Sequence, residues 1–266
     1  MPIINGQGRV GVRVPAVAGG GGGGTDADAQ AFITAASITD STQQSAINTL
    51  VVDLKASNIW TKMKAIYPMV GGTASAHKFN LKDPRDLDVA YRLVFNGGWT
   101  HSSTGALPNG SNGYADTKLN PSTSLTSFNS NHLSFYSRTN TLIDSADMGG
   151  GAGGSYITIE YGTQWNGNTW GQSTRNPSTG LFINTRTNNT TQKMYKNATL
   201  ANTNTGTNTG SANANIFIGA RNIGGGNQYS TRESAFATIG DGLTDAEASA
   251  LYTAVQAFQT TLGRQV

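Results

Sequence analysis

Carboxylate side chains are the first candidates for chemistry in this chain of 266 residues, whose only glutamates are Glu160, Glu233 and Glu247. Glycoside hydrolysis needs two carboxyl groups that flank the scissile bond, and hydrolases built on β-sandwiches commonly present both on one strand. No second carboxyl stands two or four residues from Glu160, and Glu247 is accounted for by a helix cap. We therefore expect no catalytic residue and no enzymatic activity.

A short segment rich in tryptophan and asparagine is the main candidate for a sugar site. The candidate residues are Trp165, Asn166, Asn168 and Trp170. Sugar binding needs an aromatic face for the apolar ring hydrogens and planar amides for paired hydroxyls. In the alternative interpretation, the tryptophans close the edge of a β-sandwich. Trp99 and His101 form a second candidate of the same kind.

Metal-binding residue types are present, but their spacing does not favour a metal site. The three histidines are far apart in sequence: His77, His101 and His132. A metal site needs ligands that converge at short spacing. Asp83, Asp86 and Asp88 could offer oxygen ligands to Ca²⁺, but the segment lacks the glycine and glutamate of an EF-hand loop. Arg85 already offers a partner there, so we expect a turn with local caps and no cofactor.

Composition narrows the class of protein further. Charged residues make up 12% of the chain, hydrophobic residues 36%, and the net charge is +3. The basic residues are scattered, which argues against nucleic acid as a partner. The absence of cysteine excludes disulfides and thiolate metal sites. No apolar run is long enough for a membrane span, and no glycine-rich stretch carries the Gly-Lys-Ser/Thr of a nucleotide-binding loop.

The hydrophobic pattern predicts a mainly β protein built as an antiparallel sandwich, because short β-rich runs alternate with Gly, Pro and Asn turns. The clearest strand is Tyr156–Tyr161, in which Ile157 and Ile159 should share a buried face. Leu181–Arg186 and Gln192–Lys196 should form a hairpin about an Asn-Asn turn.

Three other segments are less regular. His77–Leu81 has the composition of a short β run. Leu142–Gly154 has the pattern of a strand end followed by a glycine-rich turn. Thr199–Asn215 is predicted as a polar loop of low complexity.

Cap residues predict three helices. Thr25 or Asp26 can cap a short helix that ends near Ala36, and Asp40 can cap a second one with Gln43 in a variant of the capping box. Thr244 and Glu247 form a capping box at the start of a C-terminal helix. Gly263 stands where a C-cap glycine is expected.

The two N-terminal helices, within residues 25–58, should form a helical hairpin. The second helix carries an apolar stripe at i, i+3, i+4 and i+7, consisting of Ile47, Leu50, Val51 and Leu54. This stripe must pack on the sandwich or on a neighbouring subunit. The hairpin carries more apolar surface than a linker needs, so we expect a homo-oligomer, with a trimer as the favoured form.

The first 24 residues are predicted to be an extended arm and a linker. Six consecutive glycines, Gly19–Gly24, give reach without a fixed angle. Two interpretations stay open: a tail without a partner, or an arm that adds a strand to another protein. In the second case the anchor residues are the apolar ones before the glycines, namely Ile3, Ile4, Val10, Val12 and Val14.

Two segments resemble known families. From Leu181 onward the order is a strand, a turn at Tyr195–Asn197, the strand Ile216–Ala220, the strand Ala235–Gly240 and the helix beginning near Leu243. This order resembles the laminin-G-type jelly rolls of the concanavalin A-like group. The resemblance implies a concanavalin-like β-sandwich over residues 59–266, with the N-terminal helical hairpin and the C-terminal helix attached.

The second resemblance covers residues 25–125. It lies in Thr25–Phe32, Tyr67-Pro68, Gly71-Gly72, His77–Lys82 and Gly97–His101. These motifs are similar to those of virion structural proteins of tailed or related bacteriophages, notably phages of Bacteroidetes hosts. The resemblance implies a head fibre, a decoration protein or a tail-associated protein, with other virion proteins as partners and host-surface glycans as possible ligands.

The location implied by this resemblance is the virion. The N-terminus has no basic region followed by an apolar run, so we expect synthesis in a host cytoplasm without a secretory signal peptide. Two alternative functions stay open: a carbohydrate-binding adhesin and a glycan-cleaving enzyme.

Overall fold

The computed structural model has three layers: a layer of helices, an inner sheet and an outer sheet. It describes residues 24–152, 155–160, 164–166, 172–174, 176–208, 210 and 212–266, with the side chains of 164–166 and 172–174 left out. The described part of the chain confirms the predicted mainly β sandwich with N-terminal helices and a C-terminal helix. No helix in these described residues is long and apolar enough to cross a membrane.

The three predicted helices begin where the sequence places their caps, and the described residues contain two further short α-helices. Their bounds are α1 Ala27–Ala35, α2 Ser41–Ala56, α3 Ala74–His77, α4 Pro121–Ser124 and α5 Asp245–Thr261. Asp26 accepts a hydrogen bond from the Asp28 amide, and Thr244 and Glu247 make both bonds of a capping box. Asp40 caps α2 through the Gln43 amide, but the Gln43 side chain accepts from the Gly71 amide instead of closing the box.

The inner sheet has eight strands: β1 Met63–Tyr67, β3 Trp99–Ser102, β4 Gly105–Pro108, β6 Asn131–Ser137, β11 Gly180–Arg186, β12 Gln192–Lys196, β13 Thr199–Asn204 and β17 Ser234–Gly240. Their order is β13-β12-β11-β6-β17-β4-β3, with β1 also paired to β17, and all pairings are antiparallel. The predicted hairpin is confirmed by the pairing of β11 with β12.

The outer sheet has seven strands: β2 Val94–Asn96, β5 Tyr114–Asp116, β7 Ala146–Ala152, β8 Ser155–Glu160, β14 Phe217–Ile218, β15 Arg221–Asn222 and β16 Gly226–Asn227. It is mixed, because β15 runs parallel to β7 while the other pairs are antiparallel. A separate pair is formed by β9 Gln164–Asn166 and β10 Gln172–Thr174.

Side chains along the inner strands point alternately to the two faces of the sheet, so the apolar core of the described residues consists of two clusters. On β6, Leu133 and Phe135 belong to the apolar cluster between the sheets, whereas Tyr136 belongs to the cluster beneath the helices. The prediction for β8 is confirmed, since Ile157 and Ile159 lie in the cluster between the sheets.

The apolar stripe of the helical hairpin is buried against other elements of the same chain. Ile47, Leu50, Val51 and Leu54 are buried beside α5 residues such as Leu251 and Phe258 in the cluster beneath the helices. The stripe therefore packs on the sandwich and not on a neighbouring subunit. Excess apolar surface on the hairpin no longer supports a homo-oligomer, and the trimer stays a prediction.

The prediction of a β run over His77–Leu81 is wrong. Thr73 caps the short helix α3 through the Ala76 amide. The chain then runs beside β1 without forming a strand that pairs with it. The Asn80 side chain takes the place of a paired strand: its Oδ1 accepts from the Ile66 amide at 2.9 Å, and its Nδ2 donates to the Lys64 carbonyl at 3.1 Å. A side-chain amide can satisfy backbone groups in this way because it carries both a donor and an acceptor.

The glycine-rich turn predicted within Leu142–Gly154 is wrong for its first glycines, because Gly149, Gly150 and Gly151 lie within strand β7. Gly153 and Gly154 lie outside the described residues, so the prediction for them stays untested. A Cβ atom on Gly150 would stand 2.6 Å from the Asn215 carbonyl oxygen, and one on Gly151 would meet the Tyr156 ring. Glycine is required here because neighbouring groups approach the β7 backbone closely. The predicted polar loop likewise begins with a strand, β13, which pairs with β12.

A buried charge between the sheets should unfold the protein. Ile159 is fully buried, so we expect Ile159→Asp to lower the free energy of unfolding by about 4 kcal/mol or more. Val89→Asp is the matched control, because the Val89 side chain is 73% exposed and should tolerate the same change. The measurement is chemical denaturation followed by circular dichroism, and equal midpoints for the two variants would contradict this register.

Candidate functional site

The structure leaves the first predicted sugar site untested. Asn168 and Trp170 lie outside the described residues, and for Trp165 and Asn166 only the backbone of β9 is described. The predicted anchor residues, Ile3, Ile4, Val10, Val12 and Val14, also lie outside the described residues. Both sets stay predictions.

The second candidate, Trp99 and His101, lies on edge strand β3 and is used in packing. The indole Nε1 of Trp99 donates to the Asn96 carbonyl at 3.1 Å, and the ring meets Phe95 edge to face at 5.2 Å. A Cβ atom on Gly219 would stand 2.9 Å from the Trp99 ring, so the indole lies directly against that backbone. Trp99 is consequently a partly buried residue that packs against the core between the sheets.

His77 and His101 form a pair, although they are 24 residues apart. Their Nδ1 atoms lie 2.9 Å apart, and the Nε2 atom of buried His77 has no hydrogen-bond partner among the described residues. Burial, followed by nearby His101 and Arg264, lowers the pKa of His77 to about 3. Burial also lowers the pKa of His101. A neutral pair of this kind holds a single hydrogen bond between the rings.

His132 is a second buried, neutral histidine. Its Nδ1 donates to the Asp241 carbonyl at 2.6 Å, and its Nε2 lies 3.0 Å from the Thr238 hydroxyl. Burial lowers the pKa of His132 to about 4 despite the opposing effect of the Asp241 carbonyl. Both ring nitrogens are satisfied by the protein, as in a structural histidine.

Each of the three glutamates is bound to a cationic side chain. Both carboxylate oxygens of Glu160 lie 2.9 Å from Arg221 Nη1, and burial raises the pKa of Glu160 although Arg221 opposes that rise. Glu233 pairs with Arg138 at 2.8 Å. Glu247 pairs with Lys62 at 2.6 Å and also completes the cap of α5.

The aspartates near Arg85 are paired as well. Asp83 bonds to Arg85, as the sequence predicts, and Asp86 binds both Lys78 and Arg92. The Asp88 carboxylate pairs with Arg92 Nε at 2.8 Å. In the described ranges, no three side chains among histidine, aspartate and glutamate are grouped as metal ligands would be.

A polar cleft of about 200 Å³ opens at one end of the inner sheet. Its lining residues come from β11, the β11–β12 turn, β12 and the start of α5: Thr185, Thr187, Asn188, Thr191, Lys193, Leu243, Thr244 and Asp245. The Thr185 hydroxyl joins the hairpin to the segment before α5, because it accepts a hydrogen bond from the Leu243 amide at 2.8 Å and donates one to the Leu243 carbonyl at 3.1 Å. We call this feature the polar cleft.

Three side chains of the polar cleft keep groups free for a ligand. The hydroxyls of Thr187 and Thr191 and the Nδ2 donor of Asn188 bind no other described residue. Asn188 Oδ1 accepts from the Thr190 and Thr191 amides at 2.9 and 2.7 Å, which fixes the orientation of its side chain. The cleft is therefore lined by oriented hydrogen-bonding groups.

A charged pair completes the cleft. Lys193 Nζ lies 2.6 and 2.7 Å from the two carboxylate oxygens of Asp245, and the Tyr195 hydroxyl donates to the same carboxylate at 2.8 Å. The hydrogen bond from Lys193, followed by that from Tyr195, lowers the pKa of Asp245. Sequence reasoning missed this site because its two halves, the hairpin and the start of α5, lie about fifty residues apart.

Comparison with known proteins does not identify the chain. No protein-family model matches it, and no curated protein matches it. One similar solved structure is domain 4 of an extracellular arabinanase from Geobacillus stearothermophilus, in complex with arabinotriose. The identity is 15% and the TM-score 0.46, over 71% of this chain and 98% of that one.

Two others are the binding domain of botulinum neurotoxin serotype D and a mutant sialidase of Trypanosoma rangeli. The toxin domain is 10% identical with a TM-score of 0.46, over 74% of this chain and 52% of that one. The sialidase is 11% identical with a TM-score of 0.46, over 80% of this chain and 39% of that one. Likenesses of this size do not assign a function.

The buried histidines predict a loss of stability in acid. The pKa values of His77 and His132 are about 3 and 4 in the folded protein, and the ordinary value is 6.5. Below pH 6.5 the unfolded chain binds protons that the folded chain does not, so the free energy of unfolding falls as the pH falls. We expect a slope of up to about 1.4 kcal/mol per pH unit for each histidine.

The measurement is urea denaturation between pH 7 and pH 5, a range above the pKa values of ordinary carboxylates. His77→Gln should reduce the slope, whatever its effect on the stability at pH 7, because it removes one of the three histidines whose pKa is lowered by burial. A wild-type stability that stays constant over this range would contradict the neutral, buried state of both rings.

Proposed function

We propose that this chain is a structural protein of a bacteriophage virion that presents its β-sandwich for attachment to host-surface glycans. It is a head fibre, decoration or tail-associated protein, held to other virion proteins by the arm within residues 1–24. It binds glycans without cleaving them. The virion part of the proposal rests on the motifs of residues 25–125.

The polar cleft is the observation that carries the binding function. Sugar hydroxyls donate and accept hydrogen bonds, and binding sites place oriented donors and acceptors around them. The free hydroxyls of Thr187 and Thr191, the fixed amide of Asn188 and the carboxylate of Asp245 offer that set. Thr187, Asn188 and Thr191 lie in the turn of the β11–β12 hairpin, and Asp245 lies at the start of α5. A rigid frame of this kind lowers the entropic cost of binding.

Binding without cleavage is supported by the state of the carboxylates. Glycoside hydrolysis needs one carboxyl group as an acid and a second as a base or nucleophile. Glu160, Glu233 and Glu247 are each held by an arginine or a lysine. Asp245 is the one carboxylate among the described residues that line the polar cleft.

Glycan binding is tested by a glycan array probed with the full chain. We expect saturable binding to a subset of bacterial surface glycans and no release of reducing ends from the glycans that bind. Glu160→Gln should leave any binding unchanged, because this side chain does not line the polar cleft. Cleavage that Glu160→Gln abolishes would instead establish the glycan-cleaving alternative.

The anchor is tested by deletion of residues 1–15. Among the described residues, both core clusters consist of residues from 29 onward, and we expect the shortened chain to fold with an unchanged melting temperature. We expect it to be absent from purified phage particles while the full chain is incorporated. Incorporation of the shortened chain at the normal copy number would place the anchor elsewhere.

A further inference from the structure

We infer that the polar cleft binds one uncharged sugar ring, with Asp245 and Lys193 as the residues that exclude acidic sugars. This inference rests on the proposed glycan attachment, since it names the ligand class of the same site. It follows from the size of the cleft, its charge balance and the arrangement of its free donors and acceptors.

The size of the polar cleft limits the ligand to a single ring. Its volume is about 200 Å³. Sites for drug-sized ligands typically measure about 300–1,000 Å³. The β11–β12 hairpin and the start of α5 form the walls, so a longer saccharide would place its remaining rings outside the cleft. The chemical unit recognised is a monosaccharide or one ring of a chain.

The charge balance favours a neutral ligand. In the described part of the chain, Lys193 and Asp245 are the charged side chains that line the polar cleft, and they form an ion pair with each other. The lysine charge is consequently compensated before any ligand enters. The Asp245 side chain is 63% exposed, so a ligand carboxylate would meet a nearby negative charge. Lys193, the cation among the described residues that line the cleft, is already paired with Asp245.

The free groups match hydroxyls rather than a carboxylate or an amine. Asn188 Nδ2 can only donate, the Asp245 carboxylate can only accept, and the hydroxyls of Thr187 and Thr191 can do both. A sugar hydroxyl that donates to Asp245 can accept from a neighbouring donor at the same time. Asn188 is already fixed by the Thr191 amide, so ordering it costs the ligand little.

The cleft should bind its ligand weakly. Among the described residues that line it, none is aromatic, and Leu243 is buried. The apolar face of a sugar ring therefore finds no stacking partner, and the dissociation constant of one cleft should be on the order of 1 mM. Many copies on one particle can raise the overall avidity 10²- to 10⁴-fold, roughly the gain known for linked sites.

The experiment is a titration of the isotopically labelled full chain, followed by NMR chemical shifts. The probes are matched pairs of methyl glycosides, such as methyl galactoside with methyl galacturonide and methyl glucoside with methyl glucuronide. We expect a neutral probe to shift the amide signals of Asn188, Thr191 and Asp245 saturably. Its uronate partner should bind at least several-fold more weakly.

Two variants test the residues. The combined change Thr187→Val and Thr191→Val removes two hydroxyls that bind no other described residue, and it should weaken binding about five-fold or more. Asp245→Asn keeps the shape of the side chain but frees the charge of Lys193. We expect this variant to prefer the uronate, reversing the selectivity of the wild type.

Thr100→Val is the matched control, since Thr100 is an exposed threonine on β3 outside the polar cleft. It should bind like the wild type. Unchanged binding in the double valine variant, or a wild-type preference for the uronate, would overturn the inference. Array binding without any monosaccharide shift at the cleft would overturn it too and would leave glycan attachment standing. A blank array would remove the proposed function, and with it this inference.

Discussion

Burial of the inner sheet on both faces is the constraint on which the rest of the structure depends. Every residue of β6, β11 and β17 is buried, because the outer sheet covers one face and the helices cover the other. Polar side chains on these strands must find partners within the protein. Ser134 and Thr238 therefore bond to each other, and His132 bonds to Thr238 and the Asp241 carbonyl.

The buried side chain of Arg264 binds backbone carbonyls that the strand pairings leave without a partner. Arg264, just beyond α5, donates to the carbonyls of Pro68, Met69 and Ala235 at 2.6 to 2.9 Å and to the Gln259 side chain. Burial lowers its pKa to about 9, so it stays charged at neutral pH. One guanidinium supplies several donors in a fixed plane, and it thereby ties the end of the helix layer to the inner sheet.

The polar cleft lies where the inner sheet meets the layer of helices. The turn between β11 and β12 extends beyond the inner sheet at the end where the chain passes from β17 to α5. Gly242 packs against the Arg186 and Thr187 backbone there. The Thr185 hydroxyl bonds both backbone groups of Leu243 and fixes this junction. Side chains beyond the junction, such as Thr187 and Asn188, are left outside the core and are free to meet a ligand.

Local patterns in the sequence determined much of the fold. The caps at Asp26, Asp40 and Thr244, the β11–β12 hairpin and the buried face of Ile157 and Ile159 all depend on neighbours within a few residues. The expected class, a mainly β sandwich with flanking helices, follows from the same short-range signals. Ion pairing of Asp83 with Arg85 belongs to this group too.

Only the tertiary structure decided the features that join distant segments. Gly149–Gly151 have the composition of a turn, yet they form a strand because Asn215 and Tyr156 approach their backbone. Asn80 takes the place of a strand beside β1, and the stripe of α2 packs under α5 rather than on another subunit. The polar cleft exists because Asp245 reaches Lys193 across about fifty residues of chain, and short-range periodicity carries no information about which distant segments meet.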